Sequence, residues 1–284
     1  MREDWVCMMR CRHEERWIRR SLERTFEVCK TVIILDDGSE NDDMWREAVR
    51  ATIPVQAHRV GGVEIYAHAG KSLHYIESPF RPTVREKEAV SEIRDKNFLW
   101  SYAKARANFR HILCLDGDEM LSREAIRAWP HIEQRLNEDI DDIITLPFIY
   151  LWDAENQRRV DGLYGDGGDG IAKLRFPRVF TIDRVPQDVL FDMRFSWQGT
   201  KGGFHCGSIP RENFVTTAGA WKGGVVNAPV VHFGYIDDPL RQRKFVFYNT
   251  IDPGNQFEGE YKHIIGQPDQ HAPGPVQLVP WEDA

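Results

Sequence analysis

The sequence predicts an α/β protein with a mostly parallel central sheet flanked by helices, followed by a half of antiparallel strands and loops. Three observations predict it. Short apolar, β-branched runs alternate with helical stretches over the first 125 residues. Two of those runs stop in acidic turns, Asp36-Asp37-Gly38-Ser39 and Asp116-Gly117-Asp118-Glu119. Beyond residue 152 the alternation gives way to Gly, aromatic residues and short runs such as RFPRVF.

Residues 5–9 (WVCMM) read as a buried strand, and Trp17, Ile18, Leu22 and Phe26 then recur at helical spacing. Residues 31–35 (TVIIL) form a second apolar strand. Residues 60–84 carry Gly61, Gly62, Gly70, Pro79 and Pro82 among short apolar runs and read as a strand or two with irregular connections. Residues 85–108 hold helix formers without Gly or Pro, and residues 111–115 (HILCL) make the third strand. A helix over 122–136 with Ser122 as N-cap and a strand over 142–151 follow. The tail from Asp252, rich in Pro and Gly, reads as extended. The chain thus divides into 1–125, 126–251 as a second half of the same domain, and a tail at 252–284.

Composition narrows the function class. The 42% hydrophobic and 29% charged fractions are those of an ordinary globular protein. A net charge of −7 argues against affinity drawn from a broad basic surface. No apolar run approaches the roughly 20 residues that span a bilayer, and Met1-Arg2-Glu3-Asp4 does not open a signal peptide. A cytoplasmic protein without stable membrane insertion is expected. The cysteines, Cys7, Cys11, Cys29, Cys114 and Cys206, are odd in number and lack zinc-site spacing, so buried free thiols are expected.

In a parallel sheet, ligands bind outside the carboxyl ends of the strands, where both acidic turns belong. The glycine between Asp116 and Asp118 lets two carboxylates turn toward one point. Hard cations such as Mg2+ or Mn2+ take such oxygens, with phosphate and water completing the shell. Arg10 and Arg12, just past the first strand, and Lys96 are candidates to stack on a base or neutralise phosphate. The glycine-rich stretch 159–170 (RVDGLYGDGGDG) reads either as a lid over a ligand or as a surface loop. Asp161, with Trp152 and Tyr164 nearby in sequence, is a candidate for sugar hydroxyls.

Taken together, VCMMRCRHEERWIRRSLE, TVIILDDGSENDD and DKNFLWSYAKARANFRHILCLDGDEML resemble, in order and spacing, the opening motifs of family 2 glycosyltransferases, which have the Rossmann-like GT-A fold. His13-Glu14-Glu15 stands where that family often has Asn-Glu-Glu. A weaker likeness runs through VVHFGYIDDPLRQRKFVFY. The resemblance implies metal-dependent transfer of a sugar from a nucleoside-diphosphate sugar, a UDP-sugar being favoured, to an acceptor hydroxyl. Asp36 and Asp37 would then accept hydrogen bonds from the base or ribose, with Arg10, Arg12, Lys96 and Asp116 completing the nucleotide site. His232 would join Asp116 and Asp118 on the metal. His205, in a glycine-flanked loop, is the rival imidazole and is grouped with Trp152 and Asp161 toward sugar or acceptor. Family members place an acid well downstream of D-x-D, which nominates Asp192 or Glu212 as the base.

The acceptor is open: a glycan and a hydroxylated base in nucleic acid both fit such a fold. Two alternatives stand beside this reading. A sugar nucleotidyltransferase would show a glycine-rich basic loop after the first strand, where this chain has Arg-Cys-Arg-His-Glu-Glu. An inactive sugar-binding module would have no need of Asp116, Asp118 and His232.

Overall fold

The computed structural model of the chain describes residues 5–11, 16–37, 52–53, 58–60, 62–80, 88–106, 109–196, 207–210, 219–252, 254 and 260–283. The chain forms two compact units that interleave in sequence. The first takes 1–120, 129–145 and 177–225, and the second takes 121–128, 146–176 and 226–284.

The first unit is the α/β body. Its elements begin β1 (Trp5–Cys11), α1 (Ile18–Val28), β2 (Thr31–Asp36), β3 (His58–Val60), β4 (Val63–His68) and β5 (Lys71–Glu77). They continue with α2 (Glu88–Arg106) and β6 (His111–Asp116). Strands β5, β2, β1 and β6 lie side by side in that order, all parallel. The antiparallel β4 and β3 extend one edge, and β10 (Arg175–Thr181) runs antiparallel to β6 at the other. The strand or two expected over residues 60–84 are thus β4, in the antiparallel extension, and β5, the outermost member of the parallel set.

These strands form because both of their faces are buried. Val6, Met8, Ile33, Leu35, Ile112 and Cys114 share one core with Leu99, Trp100 and Ala103 of α2. The alternate residues Trp5, Cys7, Met9, Val32 and Ile34 are equally buried. Trp5 meets Trp129 there at 4.9 Å, and its indole N–H donates to Glu133 at 3.2 Å. Cys7, Cys11, Cys29 and Cys114 are buried free thiols, as expected. Beyond β6 come β7 (Glu119–Leu121), α3 (Arg123–Asn137), β8 (Ile143–Trp152), β9 (Ala154–Arg159), α4 (Gln187–Asp192) and β11 (Gly223–Val225).

The second unit holds the larger part of β8, with β9 antiparallel to it and β12 (Val230–His232) parallel to it. The Ser122 hydroxyl accepts the Ala125 N–H at 3.0 Å, which makes it the cap of α3 as expected. Helix α5 (Asp238–Ile251) starts on Asp237, whose carboxylate accepts the Leu240 N–H at 2.9 Å. The described part of the tail carries regular structure. A 3-10 turn, Lys262–Ile265, follows the left-handed Tyr261, and β13 (Leu278–Pro280) pairs antiparallel with β9. Among the described residues no helix is long and apolar enough to cross a membrane.

Candidate functional site

In the parallel set, the chain moves from β1 to β2 and β5 on one side and then crosses back to β6 on the other. The strand order thus reverses between β1 and β6, and open α/β sheets bind ligands in the crevice at the carboxyl ends of such a switch point. Register brings the predicted residues to that crevice. Arg10 pairs with Asp116 across β1 and β6, and Cys11 pairs with Asp36 across β1 and β2. The Gly117 N–H donates to the Arg10 carbonyl at 2.9 Å, fixing the D-x-D turn against β1.

Asp36 and Asp37 are both fully buried. Asp36 accepts the Tyr75 hydroxyl at 2.9 Å, which ties it to β5. Asp37 accepts from the Arg10 guanidinium on Oδ2, whereas no donor reaches its buried Oδ1 among the described residues. An unsatisfied carboxylate oxygen in such a place costs free energy until a donor arrives. Arg10 also donates from Nε to Asp95 of α2 at 3.2 Å, and Arg94 reaches the other Asp95 oxygen at 3.3 Å. Burial raises the Asp95 carboxyl to about 6, the nearby Asp37 adding to the rise and Arg10 opposing it.

A small pocket is lined by Arg10, Lys96, Asp116 and Arg178 over apolar Met8, Leu99 and Phe195. Lys96 Nζ lies 2.8 Å from Glu92 and 3.8 Å from Asp116 Oδ1. Arg178, on β10, pairs with Glu119 and donates to the Ser208 hydroxyl. Burial pushes the Glu119 carboxyl up to about 8, against the pull of Arg178 and with Asp116 and Asp118 adding to it. Asp116 and Asp118 are half-buried at this end of the sheet. Among the described residues, no group of three or more His, Cys, Asp or Glu side chains is arranged to hold a metal ion. A cation at Asp116 and Asp118 would take its remaining ligands from phosphate and water, which suits a hard divalent ion.

The structure thus brings together Arg10, Asp36, Asp37, Lys96 and Asp116, with Asp118 two residues beyond. Arg12, His205 and Glu212 lie outside the described residues. Asp192 is not brought to this rim. It ends the short exposed helix α4, whose Leu190 and Phe191 carbonyls accept from Lys104. Lys104 stands eight residues along α2 from Lys96, about 12 Å at the helical rise.

The second unit holds His232, Trp152 and Asp161. The Gly234 N–H donates to His232 Nδ1 at 3.1 Å, so the neutral ring carries its proton on Nε2. Ligation through Nε2 would require the proton to move to Nδ1, where that N–H now points. Burial pushes the Asp161 carboxyl up, but Nε and Nη2 of the buried Arg159 donate to its two oxygens at 2.8 and 2.7 Å and hold it below the usual range. Arg159 lies over the rings of Trp152 and Tyr164, and Arg241 lies 4.3 Å from the Trp152 centroid. Asp161 and Trp152 are thereby engaged in a buried cation–π cluster. The glycine-rich stretch is anchored at its start: a Cβ on Gly162 would meet the His271 carbonyl at 2.4 Å. Its exposed tip is held by Asp169, which pairs with Arg175 at 2.7 Å.

Sequence reasoning missed Asp95, Glu119, Arg178 and Ser208. Arg178 carried a signal, since an arginine in the apolar run RFPRVF has to be paired when the strand is buried.

No family model matches the chain, and no curated protein matches its sequence. Among solved structures it is similar to S. aureus TarS 1-349, at 11% identity and a TM-score of 0.45, over 93% of this chain and 69% of that one. It is also similar to a longer S. aureus TarS structure, at 12% and 0.44, over 92% of this chain and 41% of that one. HddC from Yersinia pseudotuberculosis is similar at 10% and 0.39, over 80% and 92% of the two chains.

Proposed function

We propose that the first unit is a GT-A-type donor site that binds a nucleoside-diphosphate sugar and that the protein transfers the sugar to an acceptor hydroxyl. The observation that supports this most is Asp37, held on one oxygen by Arg10 and buried with no donor on the other among the described residues, one strand from the Asp116–Asp118 turn. A pyrimidine N–H or ribose hydroxyl satisfies that oxygen, and UDP-sugars are the favoured donors. The diphosphate then extends toward Lys96 and Asp116. A divalent cation, Mn2+ or Mg2+, held by Asp116 and Asp118, would supply charge neutralisation to the departing diphosphate. In the transfer, the anomeric carbon–oxygen bond to the diphosphate breaks and a bond to the acceptor oxygen forms, the acceptor losing its proton. A glycan and a hydroxylated nucleic-acid base are the acceptor classes to be screened.

A sugar nucleotidyltransferase is the second reading. Residues 10–15, Arg-Cys-Arg-His-Glu-Glu, contain no glycine from which a phosphate-cradling loop could form, which disfavours it. Calorimetry with UDP, GDP and dTDP, with and without Mn2+, tests the proposal. It predicts binding of one of these nucleotides, tightened by the cation. No binding by any of them would sink it, and binding without a response to metal would remove the metal from the site.

A further inference from the structure

We infer that Arg178 is a diphosphate-binding residue, positioned by Glu119 and Ser208, so that the antiparallel strand β10 supplies the crevice with a cation beyond those the opening motifs carry. The inference rests on the donor-site reading above and assigns the part of the ligand that this side of the pocket takes.

Arg178 is 6% exposed, and an arginine so placed has to satisfy its charge and its donors locally. Glu119 takes Nη2 and the Ser208 hydroxyl takes Nη1, which fixes the guanidinium plane with one side to the pocket that Arg178 lines. Nη2 stands 3.6 Å from Asp116 Oδ2, and Lys96 stands 3.8 Å from Asp116 Oδ1. Asp116 therefore lies between two cations, neither at hydrogen-bond distance from it. An anion brought to Asp116 on a divalent cation would therefore meet both side chains.

The charge pattern points the same way. Asp116, Asp118 and Glu119 put three carboxyl groups within four residues, faced by Arg178 and Lys96. An anion alone would meet those carboxylates. A diphosphate arriving with a divalent cation brings the positive charge that Asp116 and Asp118 take, and its oxygens meet the two cationic side chains. The guanidinium fork suits two phosphate oxygens at once, which an ammonium in the same place does not.

The test compares UDP with uridine, each in excess Mn2+, by calorimetry on the full chain and on the variants Arg178→Gln, Arg178→Lys and Ser208→Ala. The ratio of the two affinities reports the diphosphate alone. Arg178→Gln is expected to lower the UDP-to-uridine ratio by about tenfold or more with uridine affinity unchanged, and Arg178→Lys to recover only part of it. Ser208→Ala, which frees one arm of the guanidinium, is expected to lower the ratio about threefold. A folded Arg178→Gln protein with the wild-type ratio overturns the inference, since Arg178 would then serve only to pair Glu119. Should that variant fail to fold, an unchanged ratio in Ser208→Ala overturns it instead. Wild-type protein that binds neither probe, nor GDP or dTDP, would refute the donor-site reading itself.

Discussion

Asp37→Asn separates a base contact from a merely structural acid. Oδ2 of Asp37 accepts from Arg10, and Oδ1 is buried with no donor among the described residues. In the asparagine variant the amide oxygen has to keep the Arg10 side, because the amide NH2 there would face a second donor. The NH2 therefore takes the Oδ1 position and presents a donor where a carboxylate oxygen presented an acceptor. A hydrogen bond to a charged group contributes about 1.5–3 kcal/mol, so uridine affinity should fall about 10- to 100-fold. The reversed polarity has a second consequence. Cytosine offers an acceptor at the ring nitrogen where uracil offers an N–H, so the variant should shift its preference toward cytidine. Calorimetry with both nucleosides, in EDTA so that metal does not contribute, measures both effects. A uridine affinity within twofold of wild type and an unchanged uridine-to-cytidine ratio, in a variant of wild-type melting temperature, would refute the assignment.

Asp118→Asn should abolish the Mn2+-dependent part of UDP binding while leaving the melting temperature near wild type, since the residue is half-buried and the side chains are nearly the same size; an unchanged response to Mn2+ in calorimetry would exclude Asp118 as a ligand. Asp95 should impose a pH slope on stability. Its carboxyl is raised to about 6 from 3.8, so between those values the native state holds a proton that the unfolded state has released, and stability falls as pH rises through that window. Urea midpoints from pH 4 to 7 should show this slope in wild type and lose it in Asp95→Asn, and equal slopes in the two proteins would contradict the reading. Asp161→Asn leaves the buried Arg159 without its counter-charge and should cost about 3–5 kcal/mol of stability while leaving UDP affinity unchanged. A loss of donor affinity without a loss of stability would instead return Asp161 to the sugar site.

What the sequence made legible followed from local physics. Strands β1, β2 and β6 read clearly because residues on both of their faces are buried, which leaves continuous apolar runs ending at polar turns. Ser122 read as a cap because a cap needs only its own next turn. Strand β11 was hidden. It is three residues long and, like β12, pairs parallel to β8, where the composition pointed to antiparallel strands, and three residues carry no periodicity. The tail's Pro and Gly content concealed β13, which exists through its pairing with β9 more than a hundred residues earlier. Arg10, Asp37 and Asp116 were singled out because they flank strand ends. The partner of Arg10 on α2 is 85 positions away, and Arg178 is 59 positions from Glu119. Such pairings are made by the fold and leave no trace in spacing.

The most direct test of donor-sugar chemistry is the release of nucleoside diphosphate from a panel of UDP-, GDP- and dTDP-sugars with Mn2+, followed by phosphorus NMR, with the matching nucleoside triphosphate plus sugar 1-phosphate as a parallel arm. The account predicts slow release of the diphosphate from one nucleotide class without acceptor, faster release when a competent acceptor hydroxyl is added, and loss of both in Asp118→Asn. Production of a nucleotide-sugar and pyrophosphate in the parallel arm, with no diphosphate released in the first, would contradict glycosyl transfer and establish nucleotidyl transfer in its place.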